Sequence, residues 1–349
     1  MQKKIIALAI ASALTAPAMA FAEATVYGQA NLSIDRINDG NTNSGTSYNL
    51  VSNESRVGLK GSEDVGSGMS VVWQVEAGLG MDDGTAGSTT IANQLFNRNT
   101  YLGLSGAGMG TILAGRYDTP YKISTRRLDV FADIRAADNR GATGNMMGAG
   151  HDVRRSNSIV YLSPSWGGFS LAAGTTFGSE NAAATDTKGT ALSLAGMYEA
   201  GPLYATLAYD SLKYGTIGDL TAPSGFAADD TSKAWKAGVG YAMDAITLNA
   251  VIEKPKTSIA GVGSTSSTNL YLAGKFAIST TDAVKLAYTK RGNTSGMTNN
   301  AKQYSLGYDH NMSSNTMVYA LYTKITDNTT VPVSLPDPST ISVGIKHSF

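Results

Sequence analysis

The chain has 349 residues, 42% of them hydrophobic, a mean hydropathy of −0.10, equal numbers of acidic and basic side chains, and no cysteine. That balance excludes a nucleic-acid partner, which needs a large basic excess to neutralise phosphates. It also excludes a disulfide framework, and three scattered histidines (His151, His310, His347) offer no metal-ligand spacing, so no metal or cofactor is expected.

Residues 1–22 read as a secretory signal peptide. Lys3 and Lys4 precede the apolar run Ile5–Leu14, and Ala18-Met19-Ala20 and Ala20-Phe21-Ala22 both offer small-x-small cleavage sites. Cleavage after Ala22 is favoured and cleavage after Ala20 is the alternative. Removing 1–22 takes two lysines and leaves 25 bases against 27 acids, a net charge of −2 on residues 23–349. No segment beyond the leader approaches the ~20 apolar residues of a spanning helix.

The rest of the chain carries a period-2 pattern from end to end. Val26, Gly28, Ala30, Leu32 and Ile34 alternate with polar neighbours, as do Leu203, Ala205, Leu207 and Tyr209. Such alternation over about ten residues between turn residues marks a barrel strand. Sixteen strand cores are expected, at 24–35, 49–62, 69–79, 95–105, 109–116, 155–163, 168–177, 190–200, 203–212, 232–242, 245–254, 268–279, 283–290, 302–311, 315–325 and 340–349. Tight Gly, Pro, Asn, Asp and Ser turns alternate with long polar connections, the longest at 117–154. Short turns on one rim and long loops on the other describe an all-β, 16-stranded antiparallel transmembrane β-barrel of the outer membrane. Tyr198, Tyr241, Tyr308 and Phe349 fall on the apolar face near short turns; Tyr209, Tyr288 and Tyr304 fall there near long loops, giving two aromatic girdles. The last strand, Thr340–Phe349, would pair with the first and close the cylinder. Phe349 is thus an assembly and closure residue.

In the third connection Leu128, Phe131 and Ile134 recur at helical spacing. A short helix there could pack against the wall from within, giving a pore-folded third loop.

Several stretches resemble the Gram-negative general porin family. They are Ser55-Arg56-Val57-Gly58-Leu59-Lys60-Gly61, Leu95-Phe96-Asn97-Arg98-Asn99-Thr100-Tyr101, Leu113-Ala114-Gly115-Arg116-Tyr117, and Asn157-Ser158-Ile159-Val160-Tyr161-Leu162-Ser163-Pro164. With Val26-Tyr27-Gly28 and Phe349 they span the chain. The resemblance implies a homotrimer of sixteen-stranded barrels with the third loop folded into the pore, and a terminal aromatic that marks the chain for assembly in outer-membrane lipid.

A barrel of this size leaves an aqueous channel for ions and small hydrophilic solutes. Arginine facing lipid near the midplane costs ~2–4 kcal/mol, so Arg56, Lys60, Arg98 and Arg116 are expected at the lumen, with Arg154 and Arg155 there or at the rim. The third loop adds Asp118, Asp129 and Asp133 against Arg126 and Arg127; in full it has five acids and seven bases. These residues are the expected constriction, and their sign favours weak anion preference in a diffusion pore. A solute-specific channel is the alternative. An enzyme would need a nucleophile with a positioned base, and no catalytic residue is assigned. A secreted adhesin would need no detergent.

Overall fold

The computed structural model describes residues 24–40, 45–84, 95–140, 146–148, 150–178, 186–295, 300–327 and 337–349. The expected signal peptide, residues 1–22, lies outside them.

Among the described residues there are eighteen strand segments: β1 (Thr25–Asn38), β2 (Thr46–Ser52), β3 (Arg56–Gly66), β4 (Met69–Gly78), β5 (Thr100–Gly106), β6 (Gly110–Asp118), β7 (Arg154–Leu162), β8 (Phe169–Thr176) and β9 (Thr190–Ala200). They continue with β10 (Leu203–Lys213), β11 (Thr231–Met243), β12 (Ile246–Ile259), β13 (Gly263–Ser266), β14 (Asn269–Ala277), β15 (Asp282–Arg291), β16 (Ala301–Asn311), β17 (Thr316–Asp327) and β18 (Ser339–Ser348). Among the described residues one α-helix, α1 (Pro120–Arg126), follows β6, and a single 3₁₀ turn covers Gly218–Leu220. Both β2 and β3 pair with β1, and both β13 and β14 pair with β12, so the eighteen segments make sixteen staves. All neighbouring pairs are antiparallel. The sheet closes where β18 pairs with β1 from Gln29↔Ser348 to Asn38↔Ser339. Beyond that register Gly28 and Phe349 exchange backbone hydrogen bonds of 2.9 and 3.1 Å, which places the expected closure residue on the seam.

Closure gives each stave an inner and an outer face. On the outer face Leu102 and Val343 are about 60% exposed, while inward Asn31 and Ser342 are buried. This inverts a soluble barrel and suits lipid outside with water inside. Of the aromatics expected at the rims, Tyr198, Tyr241, Tyr304, Tyr308 and Phe349 are outward and exposed, and Tyr209 and Tyr288 are half-buried.

The strand expected at 49–62 is split into β2 and β3 by residues 53–55, most other bounds shift by four residues or fewer, and two shift by five. The expected strand at 95–105 begins at Thr100, because Arg98 turns in between two glutamates and Asn97 accepts the Gly78 N–H through Oδ1 at 2.9 Å. Strand β12 runs to Ile259, five residues past expectation, since Lys233 and Ser232 on β11 continue the ladder to Lys256 and Thr257.

The apolar core of the molecule is where the third connection meets the inner wall. Leu128, Phe131 and Ile134 are buried against Tyr204, Val251, Tyr271, Tyr319 and Leu321. The expected helix over these residues is not formed. The chain makes successive three-residue turns, with Leu128 N–H to Thr125 O, Ile134 N–H to Phe131 O and Ala137 N–H to Ile134 O. A spacing of three lines residues up on one side of such turns, so the apolar row survives without an α-helix. Asp129 is the reason: its carboxylate takes the Phe131 and Asn139 backbone N–H groups, each at 2.9 Å, and competes with helical bonding. The helix forms earlier, with Thr119 Oγ1 accepting the Lys122 N–H and Pro120 in the first turn. Glycines on the wall leave room for this seat: a Cβ on Gly238 would stand 2.6 Å from Leu128, and one on Gly307 2.6 Å from Phe131.

Candidate functional site

Inward side chains meet the third connection in a network of charges. Arg98 on the approach to β5 is buried between Glu76 on β4 (Nε to Oε1, 2.6 Å) and Glu54 in the break between β2 and β3 (Nη1 to Oε2, 2.6 Å). Glu54 also faces Arg140 at 3.6 Å, and Arg140 holds Asp138 at 2.6 Å. Arg56, the first residue of β3, lies 3.4 Å from Asp133 and 3.9 Å from Glu76. Asp133 also pairs with Arg126 and stands 3.9 Å from Lys346 on β18. Asp118 closes the group, with Lys122 at 2.7 Å and Arg154 at 3.0 Å. Asn99 bridges Arg154 and Asp118, donating to the acid at 3.1 Å. A cavity among these charges is bordered by Lys122, Arg126, Asp133, Asp138 and Arg140.

Seven bases (Arg56, Arg98, Lys122, Arg126, Arg140, Arg154, Lys346) thus surround five acids (Glu54, Glu76, Asp118, Asp133, Asp138). Two titrations bear on that excess. Burial beside Arg154 brings the Lys122 ammonium down to about 8, despite Asp118. Burial pushes the Asp138 carboxyl up, and Asp129 adds to the rise against Arg140.

The other expected residues lie elsewhere. Lys60 is exposed, its ammonium 5.1 Å from the centre of the Tyr27 ring, outside the network. Arg116 is not lumenal: it lies out of step with the buried Leu113, on the outer face near the long-loop rim. It stands where Ser156 and Asn157 bulge from the partner strand, and it holds Asp219 and the Ser156 hydroxyl, both at 2.9 Å. Arg127 pairs with Glu199 near a short turn and stacks 4.4 Å over the Tyr204 ring. Arg155 and His151 share the buried Asp210 on β10, at 2.9 and 2.7 Å, and fasten the end of the connection to the wall. Asp129 is half-buried, accepting from the Tyr271 hydroxyl at 2.9 Å. The network brings in Glu54, Glu76, Lys122, Asp138, Arg140 and Lys346, which the sequence reading did not single out as site residues. Alternation alone puts Lys346 on the polar face, but only the seam register places it beside Arg56.

Comparison with known proteins agrees with the architecture. The family model described as Gram-negative porin matches residues 7–330. Outer membrane porin protein 32 of Delftia acidovorans is 28% identical over the whole of both chains. Major outer membrane protein P.IB of Neisseria gonorrhoeae is 32% identical over 49% of this chain and 47% of its own. Among solved structures, an anion-selective porin from Comamonas acidovorans superposes with a TM-score of 0.77 at 22% identity, over 94% of this chain and all of its own. The trimer form of OmpT from Vibrio cholerae gives 0.69 at 17% identity, over 93% and 99%. With the closed sixteen-stave barrel and its inverted faces, these matches show that the chain belongs to the Gram-negative porin family: an outer-membrane channel protein, not an enzyme.

Proposed function

We propose that the third connection narrows the lumen to an eyelet and that the charge network forms its edge, so that the channel passes small hydrophilic solutes with a mild preference for anions. The carrying observation is the ion-pair network of seven bases and five acids around residues 118–140, whose cavity is also bordered by Asp129 and by Asp152, the latter paired with Lys236. At a constriction the net sign biases permeant ions, while charges farther than ~8–10 Å are screened at physiological salt. Arg56, Arg126 and Lys346 around Asp133 are among the less buried of these bases and the best placed to meet a passing anion. Membership of a family with an anion-selective relative supports this reading. The working unit is proposed to be a homotrimer, as the trimer form of OmpT is. Reversal potentials in a salt gradient test the selectivity: chloride over potassium is expected, and a clear cation preference overturns it. Conductance falling in threes on channel closure would support the trimer.

A further inference from the structure

The connection between β10 and β11, residues 214–230, is itself folded. Its base is closed by the Tyr214 N–H on Asp230 O and the Asp229 N–H on Tyr214 O, both at 2.9 Å. The Asp230 carboxylate takes the Ala227 and Ala260 N–H groups, each at 2.8 Å. Tyr214, Leu220 and Phe226 pack on Ala191 and Leu212. Those two wall residues alternate in step with the buried Ser193 and Asp210, so they face inward. The connection therefore lies against the inner side of β9 and β10, one step beyond Asp210 toward the long-loop mouth.

Two of its side chains reach the end of the third connection from different directions. At the base the Tyr214 hydroxyl is turned to Ser232, whose own hydroxyl meets His151 Nε2 at 3.1 Å. At the tip Asp219 is carried past β9 and β8, accepts the Ser156 N–H at 2.7 Å and pairs with Arg116 at 2.9 Å. Thr216 anchors the crossing, with its N–H on Thr187 O at 2.9 Å. Gly215 fits there because a Cβ would stand 2.4 Å from the same oxygen.

The tip contact is more than a surface ion pair, which by itself contributes little. Ser156 bulges from the ladder between β6 and β7, so its N–H has no partner on β6, and Asp219 supplies one. Residues 151–156 are thus held to the wall through Asp210 and, independently, to an outer loop at both ends.

We infer that residues 214–230 are a brace that couples the outer surface to the third connection: displacing the brace frees residues 151–156 and lets that connection move. The coupling runs through packed and hydrogen-bonded groups above the lumen rather than along the sheet. Its effect on current rests on the proposed eyelet; its effect on proteolysis does not.

Asp219→Ala removes the tip contact. Asp229→Asn, which breaks only the exposed pair with Lys213, is the control. Limited proteolysis in detergent and single-channel recording read both, and β-sheet circular dichroism shows that each variant is folded. Asp219→Ala should raise cleavage within 146–155 and the frequency of current excursions by about three- to tenfold, and Asp229→Asn should change neither. Added to Asp210→Asn, which already releases that end, Asp219→Ala should act less than about twofold. Cleavage of Asp219→Ala at the wild-type rate would overturn the inference. So would an equal rise in Asp229→Asn, which would mean that any loosening of the outer loops suffices. Effects that multiply in full in the double variant would overturn it too, since the two holds would then act separately. Faster cleavage with an unchanged current would uphold the brace and count against the eyelet.

Discussion

The third connection is fastened to the barrel twice, and the two fastenings differ in kind. Its first part, through residue 140, is seated by Leu128, Phe131 and Ile134 and by neutral bonds in which wall amides hold its carbonyls: Asn249 to Leu128, Asn31 to Asp133, Gln303 to Asp138. Its last part, from residue 146, is held by buried charge, through Lys236 to Asp152 at 2.5 Å, Arg155 and His151 to Asp210, and the Gly148 N–H to Glu253 at 2.9 Å. Apolar seating is insensitive to salt and leaves the charges beside it free to act on solutes. Ionic seating is strong only while both partners remain, because a lone buried charge is costly.

Four experiments separate the two fastenings, in falling order of expected effect. Phe131→Ala empties a fully buried site and should weaken the first fastening by about 3–5 kcal/mol. Single-channel current should become larger and noisier while the barrel stays folded in detergent; an unchanged trace would mean the seat is not what positions the loop. Asp210→Asn leaves Arg155 without its counter-charge and should weaken the second fastening by about 3 kcal/mol. Proteolysis should then cut within 146–155 sooner than within 120–140, and equal resistance of both would collapse the distinction. Arg56→Ala removes a lumenal charge that pairs with Asp133 of the first part at 3.4 Å but leaves the apolar seat in place. It should lower the chloride-to-potassium permeability ratio by about two- to threefold, within the reach set by screening. The smallest effect is that of pH. Above about 8 Lys122 loses its proton, and on acidification Asp138 gains one earlier than an ordinary carboxyl does, so both changes make the network more positive as pH falls. Anion preference should therefore decline steadily from about pH 6 to about pH 9, and a rise would contradict the assignment. Since the folded-state value of Lys122 lies below its ordinary one, this group also favours the fold more as pH rises from about 8 toward 10.5.

The staves were legible in the sequence because a wall with lipid on one side and water on the other imposes period 2 on each of them. Turn chemistry then counted them. The third connection was recognisable by its length and its apolar row, but not its backbone, since a spacing of three suits both a helix and a chain of turns until Asp129 is seen to cap Phe131 and Asn139. The charge partnerships were harder still. Alternation says that Arg56, Lys60 and Lys346 share the inner face, yet height on the cylinder depends on register between staves. Lys346 comes opposite Asn31 and near Arg56, while Lys60 falls beside Thr25, away from the loop. Arg116 was misleading for a local reason: it lies at the end of its strand, where an outward arginine escapes the cost of lipid and finds Asp219 from a later loop.

The seam of β1 with β18 also orders events in time. Asp35 and Ser342, which hydrogen-bond across it, are 307 residues apart in the chain. Every other neighbouring pair of staves is joined by a turn or a single loop, so fifteen of the sixteen joints can form locally and the last must wait for all of them. Until it does, the growing sheet offers two open edges and an apolar face. The ring is therefore committed only at its final bond, and any agent that guards those edges governs how fast channels appear.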